Sequence, residues 1–315
     1  MPTLLAPAGS PGAVGAALEA GADAVYVGLK GWSRGGTRGE FGWDELVASH
    51  REIASAGKEL RVALNTIPKP RERARLFEQI PALLDLGIRD LIVNDIGILA
   101  ALRRLFPDLR LTASIGCGAQ TAADAAFFRD LGADAVVLPG TLSPAEMSEI
   151  RSVRGISLEI MVHMVEEFVL LGKCWMPSYV NLKPSPLPVE FPPGAADETD
   201  MPDGALRGLR QTGSMKRGGV GACFRICQEP WELLAGGRRV DTRFFPGRQI
   251  SRISEVQAFA DAGVDVLKLQ GRSLPPELLA PLVRSYREAI DARTGLPANE
   301  VRPAALPPTW TVVGR

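Results

Sequence analysis

The chain has 315 residues, 46% of them hydrophobic and 23% charged, so it carries enough apolar side chain for a full core. Lys+Arg and Asp+Glu are both 36, a formal net charge of zero, which argues against a protein whose affinity comes mainly from neutralising phosphates. No run approaches the ~18 apolar residues that would span a bilayer, and Met1-Pro2-Thr3-Leu4-Leu5 lacks the basic start of a secretory leader. The expectation is a cytoplasmic protein without membrane insertion, in which reduced thiols serve as metal ligands or catalysts.

From the first residues onward, short aliphatic runs alternate with amphipathic stretches. The predicted strands are 3–7, 23–28, 60–65, 90–94, 110–114, 133–138, 157–163 and 265–270. Helical segments between them include 44–56, 71–86, 98–105, 122–131 and 144–153. Several helices end in a glycine followed by an apolar residue and an aspartate: Gly21-Ala22-Asp23, Gly132-Ala133-Asp134 and Gly263-Val264-Asp265. A glycine just past a helix end takes the left-handed cap, and the residues after it open a buried strand. Eight such units predict an α/β fold of the TIM-type (β/α)8 barrel. A doubly wound open sheet is the alternative, but no G-x-G-x-x-G follows the first strand.

The rhythm breaks once. About a hundred residues separate the seventh and eighth strands, far more than a βα unit needs. The expected organisation is one barrel over 1–295, containing an insertion at 164–250, and a C-terminal tail at 296–315. Within the insertion, 182–219 lacks any period and reads as a flexible lid or a plain linker.

Residues at the C-terminal ends of barrel strands face the site. They are Arg34 and Arg38 in a glycine-rich loop after strand two, Asn65 after strand three, Asn94 and Asp95 after strand four, and Cys117 and Gln120 after strand five. Glu159 and His163 lie in strand seven, and Lys268, Gln270 and Arg272 in and after strand eight. Arginines in a glycine-rich loop suit bidentate capture of carboxylates, although a mobile surface loop has the same composition. His163 reads either as a satisfied buried histidine or as a proton carrier or metal neighbour. Glu166 and Glu167 read as general acid/base groups or as solvated loop charge.

Three of the four cysteines, Cys174, Cys223 and Cys227, lie in the insertion, and Cys117 lies on the same predicted rim. Thiolates delivered from a few loops to one rim suit an iron–sulfur cluster or zinc, whereas the C-x2-C knuckles of zinc ribbons are absent.

These residues resemble a known family. Leu4-Leu5-Ala6-Pro7-Ala8-Gly9, Gly21-Ala22-Asp23-Ala24-Val25-Tyr26-Val27-Gly28 and the 33–38 stretch ahead of Glu40-Phe41 come first. Glu159-Ile160-Met161-Val162-His163, Gly172-Lys173-Cys174, Gly221-Ala222-Cys223-Phe224-Arg225-Ile226-Cys227 and Lys268-Leu269-Gln270-Gly271-Arg272 follow, and their order is similar to that of the collagenase-like peptidase U-32 family. The resemblance implies a TIM-type barrel, a 4Fe-4S cluster held by cysteines, and oxygen-independent hydroxylation with prephenate as the oxygen donor. It implies Cys174, Cys223 and Cys227 as cluster ligands, with Glu167 standing where the family's first cysteine falls and Cys117 as the substitute fourth ligand. Should Cys117 not reach the cluster, Glu167, His163 or an open position takes its place.

RNA-modifying members of the family tend to be longer, and this chain has no net charge. The expected substrate is therefore an aromatic or polycyclic small molecule, with RNA unlikely. Arg34, Arg38, Asn65, Gln120, Lys268 and Arg272 would bind substrate and the anionic donor, and His163 or Glu167 would move protons. A non-catalytic cluster-binding subunit that pairs with a homologous partner is an alternative. A peptidase, as the family's label says, is another, but no nucleophile–base pair or metalloprotease helix is evident.

Overall fold

The computed structural model describes residues 1–33, 39–68, 70–165, 233–235, 238–241, 249–292 and 311–312. The strands in chain order are β1 (Thr3–Pro7), β2 (Ala24–Gly28), β3 (Glu59–Leu64), β4 (Asp90–Val93), β5 (Arg110–Ala113), β6 (Ala135–Leu138) and β7 (Ser157–Val165). They continue with β8 (Leu233–Ala235), β9 (Arg238–Asp241), β10 (Gln249–Ser251), β11 (Val266–Leu269) and β12 (Thr311–Val312). Strands β1 to β7 pair in order and all in parallel. β11 pairs with both β7 and β1, which closes an eight-stranded parallel barrel. This is the predicted (β/α)8 architecture, with β11 as the eighth barrel strand. β10 runs antiparallel along the end of β7, and β8 and β9 form a separate hairpin.

The helices are α1 (Pro11–Glu19), α2 (Trp43–Ser55), α3 (Pro70–Phe77), α4 (Ile80–Asp85), α5 (Ile96–Leu105), α6 (Ala122–Asp130), α7 (Pro144–Ile150), α8 (Val256–Asp261) and α9 (Pro276–Asp291). Their starts are written locally. Ser143 caps α7 by accepting from the Glu146 N–H while Glu146 reaches back to Ser143, and Pro144 sits where no N–H is needed. Thr121 and Asp124 do the same for α6. The single helix predicted over 71–86 is two helices instead. Pro81, at the start of α4, has no N–H, and its ring excludes the carbonyl four residues back, so the helix cannot run through.

Alternation along the strands sorts two apolar sets. Leu4, Ala6, Val25, Val27, Val62, Leu91, Val93 and Leu267 join the shell between barrel and helices. Leu5, Ala24, Tyr26, Ala63, Ile92 and Val266 form a small cluster inside the barrel, and Val137 and Met161 belong to a third with Met164 and Ile250. The parity that places Ile92 inside also places Arg61, Glu159 and Lys268 inside.

The N-terminal rim carries one device three times. Gly21, Gly132 and Gly263 adopt φ of +93°, +99° and +83°, values that a side chain rarely allows. Two residues on, Asp23 accepts from the Leu4 N–H at 2.9 Å, Asp134 from Leu111 at 2.7 Å and Asp265 from Leu158 at 2.8 Å, so each aspartate stitches its strand to the neighbour. An arginine from a helix, or in the case of Arg151 from the C-terminal cap of α7, lies over each glycine and pairs with each aspartate: Arg287 with Asp23, Arg103 with Asp134 and Arg151 with Asp265.

Candidate active site in the barrel

A charged cluster threads the barrel interior. Glu159 on β7 is fully buried and accepts from Arg61 on β3 through one oxygen and from Lys268 on β11, at 3.2 Å, through the other. β3 and β7 are separated by three strands on either side of the ring, so Arg61 reaches across the interior to Glu159. Arg61 also comes within 3.6 Å of Glu59 at the start of its own strand. Burial alone would raise the Glu159 pKa, but Lys268 and Arg61 and their hydrogen bonds outweigh it and hold the carboxyl below its usual range. Burial lowers the Lys268 pKa, with Glu159 opposing.

The cluster continues toward the C-terminal mouth through Tyr26. Lys268 Nζ lies 4.9 Å from the centre of the Tyr26 ring, and the Arg272 guanidinium carbon lies 5.8 Å from it. The Tyr26 hydroxyl donates to the Leu269 carbonyl at 2.9 Å, and Arg272 donates to the Ser33 hydroxyl. A Cβ on Gly28 would collide with both Ser33 and Arg272, so the glycine makes room for that contact.

On the other side of the mouth stand three neutral polar side chains. Asn65, Asn94 and Ser114 end β3, β4 and β5 in one layer, and all three are buried. Asn94 is 4% exposed, yet among the described residues neither its Oδ1 nor its Nδ2 has a hydrogen-bond partner. Asp95, by contrast, caps α5 by accepting from the Ile98 N–H at 2.8 Å.

The other sequence-predicted residues are scattered. Gln120 is exposed and donates its backbone N–H to Asp124 at the start of α6. Cys117 is half-buried in a 3-10 turn, its Sγ 3.5 Å from the Val93 carbonyl oxygen and 3.4 Å from that of Asn94. His163 is 1% exposed and edge-on to Tyr286 of α9, ring centres 5.8 Å apart. The register between β7 and β11 shifts between Lys268 and Leu269, and this bulge pairs His163 with Leu269, a member of the outer shell. The strand alternation that points Glu159 and Met161 inward therefore no longer holds at His163. Burial lowers its pKa to about 3, which keeps the imidazole neutral. Arg34, Arg38, Glu167, Cys174, Cys223, Cys227 and the 182–219 segment lie outside the described residues. Among the described residues no group of three or more His, Cys, Asp or Glu side chains could hold a metal ion.

Arg61 and Tyr26 were not among the predicted site residues. The signal for Arg61 is visible in the sequence: one charge inside the apolar run Leu60-Arg61-Val62-Ala63-Leu64, which a buried strand tolerates only when it is paired. Among the described residues no helix is long and apolar enough to cross a membrane.

A parallel barrel with a buried polar cluster opening at the C-terminal ends of its strands is the layout of barrel enzymes. Residues 9–305 match the family model described as Peptidase family U32, so the chain belongs to that family. The tRNA hydroxylation protein P of Haemophilus influenzae is 28% identical over 95% of this chain and 70% of its own length. Its Escherichia coli namesake is 27% identical over 94% of this chain and 69% of its own. The Escherichia coli 23S rRNA 5-hydroxycytidine C2501 synthase is 26% identical over 92% of this chain, which spans 39% of that protein.

These relatives correct two expectations. An aromatic or polycyclic small molecule as substrate, and RNA as an unlikely partner, are both overturned by similarity along nearly the whole chain to proteins named for tRNA and rRNA hydroxylation. The physical reason is that net charge is a sum over the chain. A zero sum leaves Lys268 and Arg272 together at one mouth, and local charge is what meets a phosphate or carboxylate.

Proposed function

We propose that the chain is an oxygen-independent hydroxylase of RNA that acts on a pyrimidine base. The observation that carries this reading is the alignment of 95% of the chain, barrel strands included, with a tRNA hydroxylation protein. The geometry supports it, since a mouth with cations on one side and neutral hydrogen-bonding groups on the other suits an anionic reactant beside a base. Enzymes that modify a base swing it out of the stack into such a pocket.

A 4Fe-4S cluster is part of the proposal, with Cys174, Cys223 and Cys227 as its thiolate ligands. Cys117 fits less well as a fourth, because its sulfur faces two backbone carbonyls, which leaves Glu167 or an open position. The cluster would supply the redox chemistry. Prephenate, the donor implied by the family resemblance, carries two carboxylates. Lys268 and Arg272, with Arg34 and Arg38 from the loop after β2, are the cations proposed to hold it, and Arg61 keeps Glu159 charged beneath them.

The test is nucleoside mass spectrometry of RNA from a strain lacking the gene, with and without the wild-type copy, grown without oxygen. Loss of a hydroxylated pyrimidine on deletion and its return on complementation is expected; an unchanged nucleoside profile overturns the reading. Anaerobic iron and sulfide analysis of wild type, Cys117→Ala and Cys174→Ala tests the ligand set. Iron should survive the first substitution and be lost with the second.

A further inference from the structure

We infer that the Asn94 carboxamide is the group that grips the Watson–Crick edge of the target pyrimidine, a specificity-determining contact within the hydroxylase proposed above and resting on that reading.

Asn94 follows the last residue of β4 in the inward register, on the same parity as Ile92 in the interior cluster. Its backbone is occupied: the Asn94 carbonyl lies 3.4 Å from Cys117 Sγ. Its side chain is not. Both amide atoms are buried without a partner among the described residues, and a buried polar group left unmatched opposes folding unless something it binds repays it. The turn after β5 is shaped around this amide. A Cβ on Gly116 would lie 2.0 Å from Asn94 Oδ1, so the one residue type without a side chain stands where the amide needs space.

A primary carboxamide offers one acceptor and one donor side by side. Uracil presents N3–H and O4 as the matching donor and acceptor, and cytosine presents N3 and N4–H2 in the reverse order. Rotation of the amide by half a turn matches either base. A grip on the N3 and C4 edge leaves the neighbouring C5–H free to face the reacting groups. The neutral neighbours Asn65 and Ser114 let an uncharged base enter without a stranded charge beside it. The cations Lys268 and Arg272 lie on the opposite arc.

Asn94→Leu keeps the branched outline, in slightly bulkier methyl groups, and removes the unmatched polar atoms. Its thermal midpoint should equal or exceed that of the wild type, while hydroxylated pyrimidine in complemented cells should fall at least about tenfold, the loss typical of a broken bidentate base contact. Wild-type levels of the product, or a clearly lowered midpoint, overturns the inference by making the amide dispensable or structural. The wild-type arm separates the two failures, since no product from the wild-type gene sinks the RNA reading itself. A binding arm needs no turnover. The purified wild type should bind uridine at least about tenfold more tightly than 3-methyluridine, whose edge is blocked, and Asn94→Leu should lose that preference. Equal binding of uridine and 3-methyluridine to the wild type overturns the inference and assigns the amide to ordered water.

Discussion

At the N-terminal rim, Asp23, Asp134 and Asp265 each take a backbone N–H from the neighbouring strand and an arginine from a helix or its C-terminal cap. At the opposite mouth Asn94 is buried with no partner among the described residues, and in the barrel interior below it the single charge of Glu159 is divided between Arg61 and Lys268. The first rim uses polar groups to fix strand order, and each is answered by the fold. The mouth holds polar groups that the fold answers only in part. The difference separates residues kept for stability from residues kept for something that binds.

The sharpest way to break that division is at Glu159. Glu159→Leu leaves Arg61 and Lys268 buried without their shared counter-charge, which should cost about 3–5 kcal/mol in denaturant unfolding. Adding Lys268→Met leaves one buried cation, Arg61, in place of two, so it should recover part of that stability while hydroxylation stays at background. If the double variant keeps wild-type activity, the interior cluster belongs with the N-terminal rim as a purely structural device.

Acid sensitivity gives the next largest effect. His163 is held neutral in the fold, with its pKa lowered from 6.5 to about 3, so the unfolded chain binds the extra proton. Stability is full above pH 6.5 and falls as pH drops toward 3, by about 1.4 kcal/mol per pH unit. The Glu159 carboxyl is also lowered, from 4.5, so its contribution is lost only below that value. Acid loss between pH 6.5 and 4.5 is therefore the histidine's signature. His163→Phe, which keeps a ring against Tyr286, should flatten it in unfolding curves measured across that window.

The barrel was legible because its signals are local. A glycine cap, an apolar residue and an aspartate announce each strand at Asp23, Asp134 and Asp265, and all three meet the same structural end. The mouth was legible only where position along a strand decides it, as for Asn65, Asn94 and Lys268. Arg61 escaped because its meaning depends on Glu159, 98 residues away. His163 was placed at the site by its position toward the C-terminal end of strand seven, where the bulge at the end of β7 shifts the register. The substrate escaped because composition averages over the chain what the mouth concentrates.

At the N-terminal rim the expected effects are smaller and leave chemistry untouched. Asp134→Ala removes the acceptor for Leu111 and the partner of Arg103. Because the pair is partly exposed, the loss should be about 1–2 kcal/mol, with hydroxylation per folded molecule unchanged.

The smallest effect tests whether the device acts as a unit. Gly132→Ala places a side chain at φ +99°, and its Cβ would lie 2.6 Å from Arg103 Cγ. The backbone strain alone costs about 1 kcal/mol. Arg103 is long enough to move aside, but moving loosens its hold on both the Gly132 carbonyl, 2.8 Å from Nε, and Asp134. In the Asp134→Ala background the Asp134 part of that hold is already gone, so Gly132→Ala should then cost its backbone strain and the loosened Gly132 contact, less than in the wild type. Thermal unfolding of the two single variants and the double variant measures the difference. Strict additivity would mean that glycine and aspartate serve the rim independently, and a shortfall would mean that Arg103 couples them.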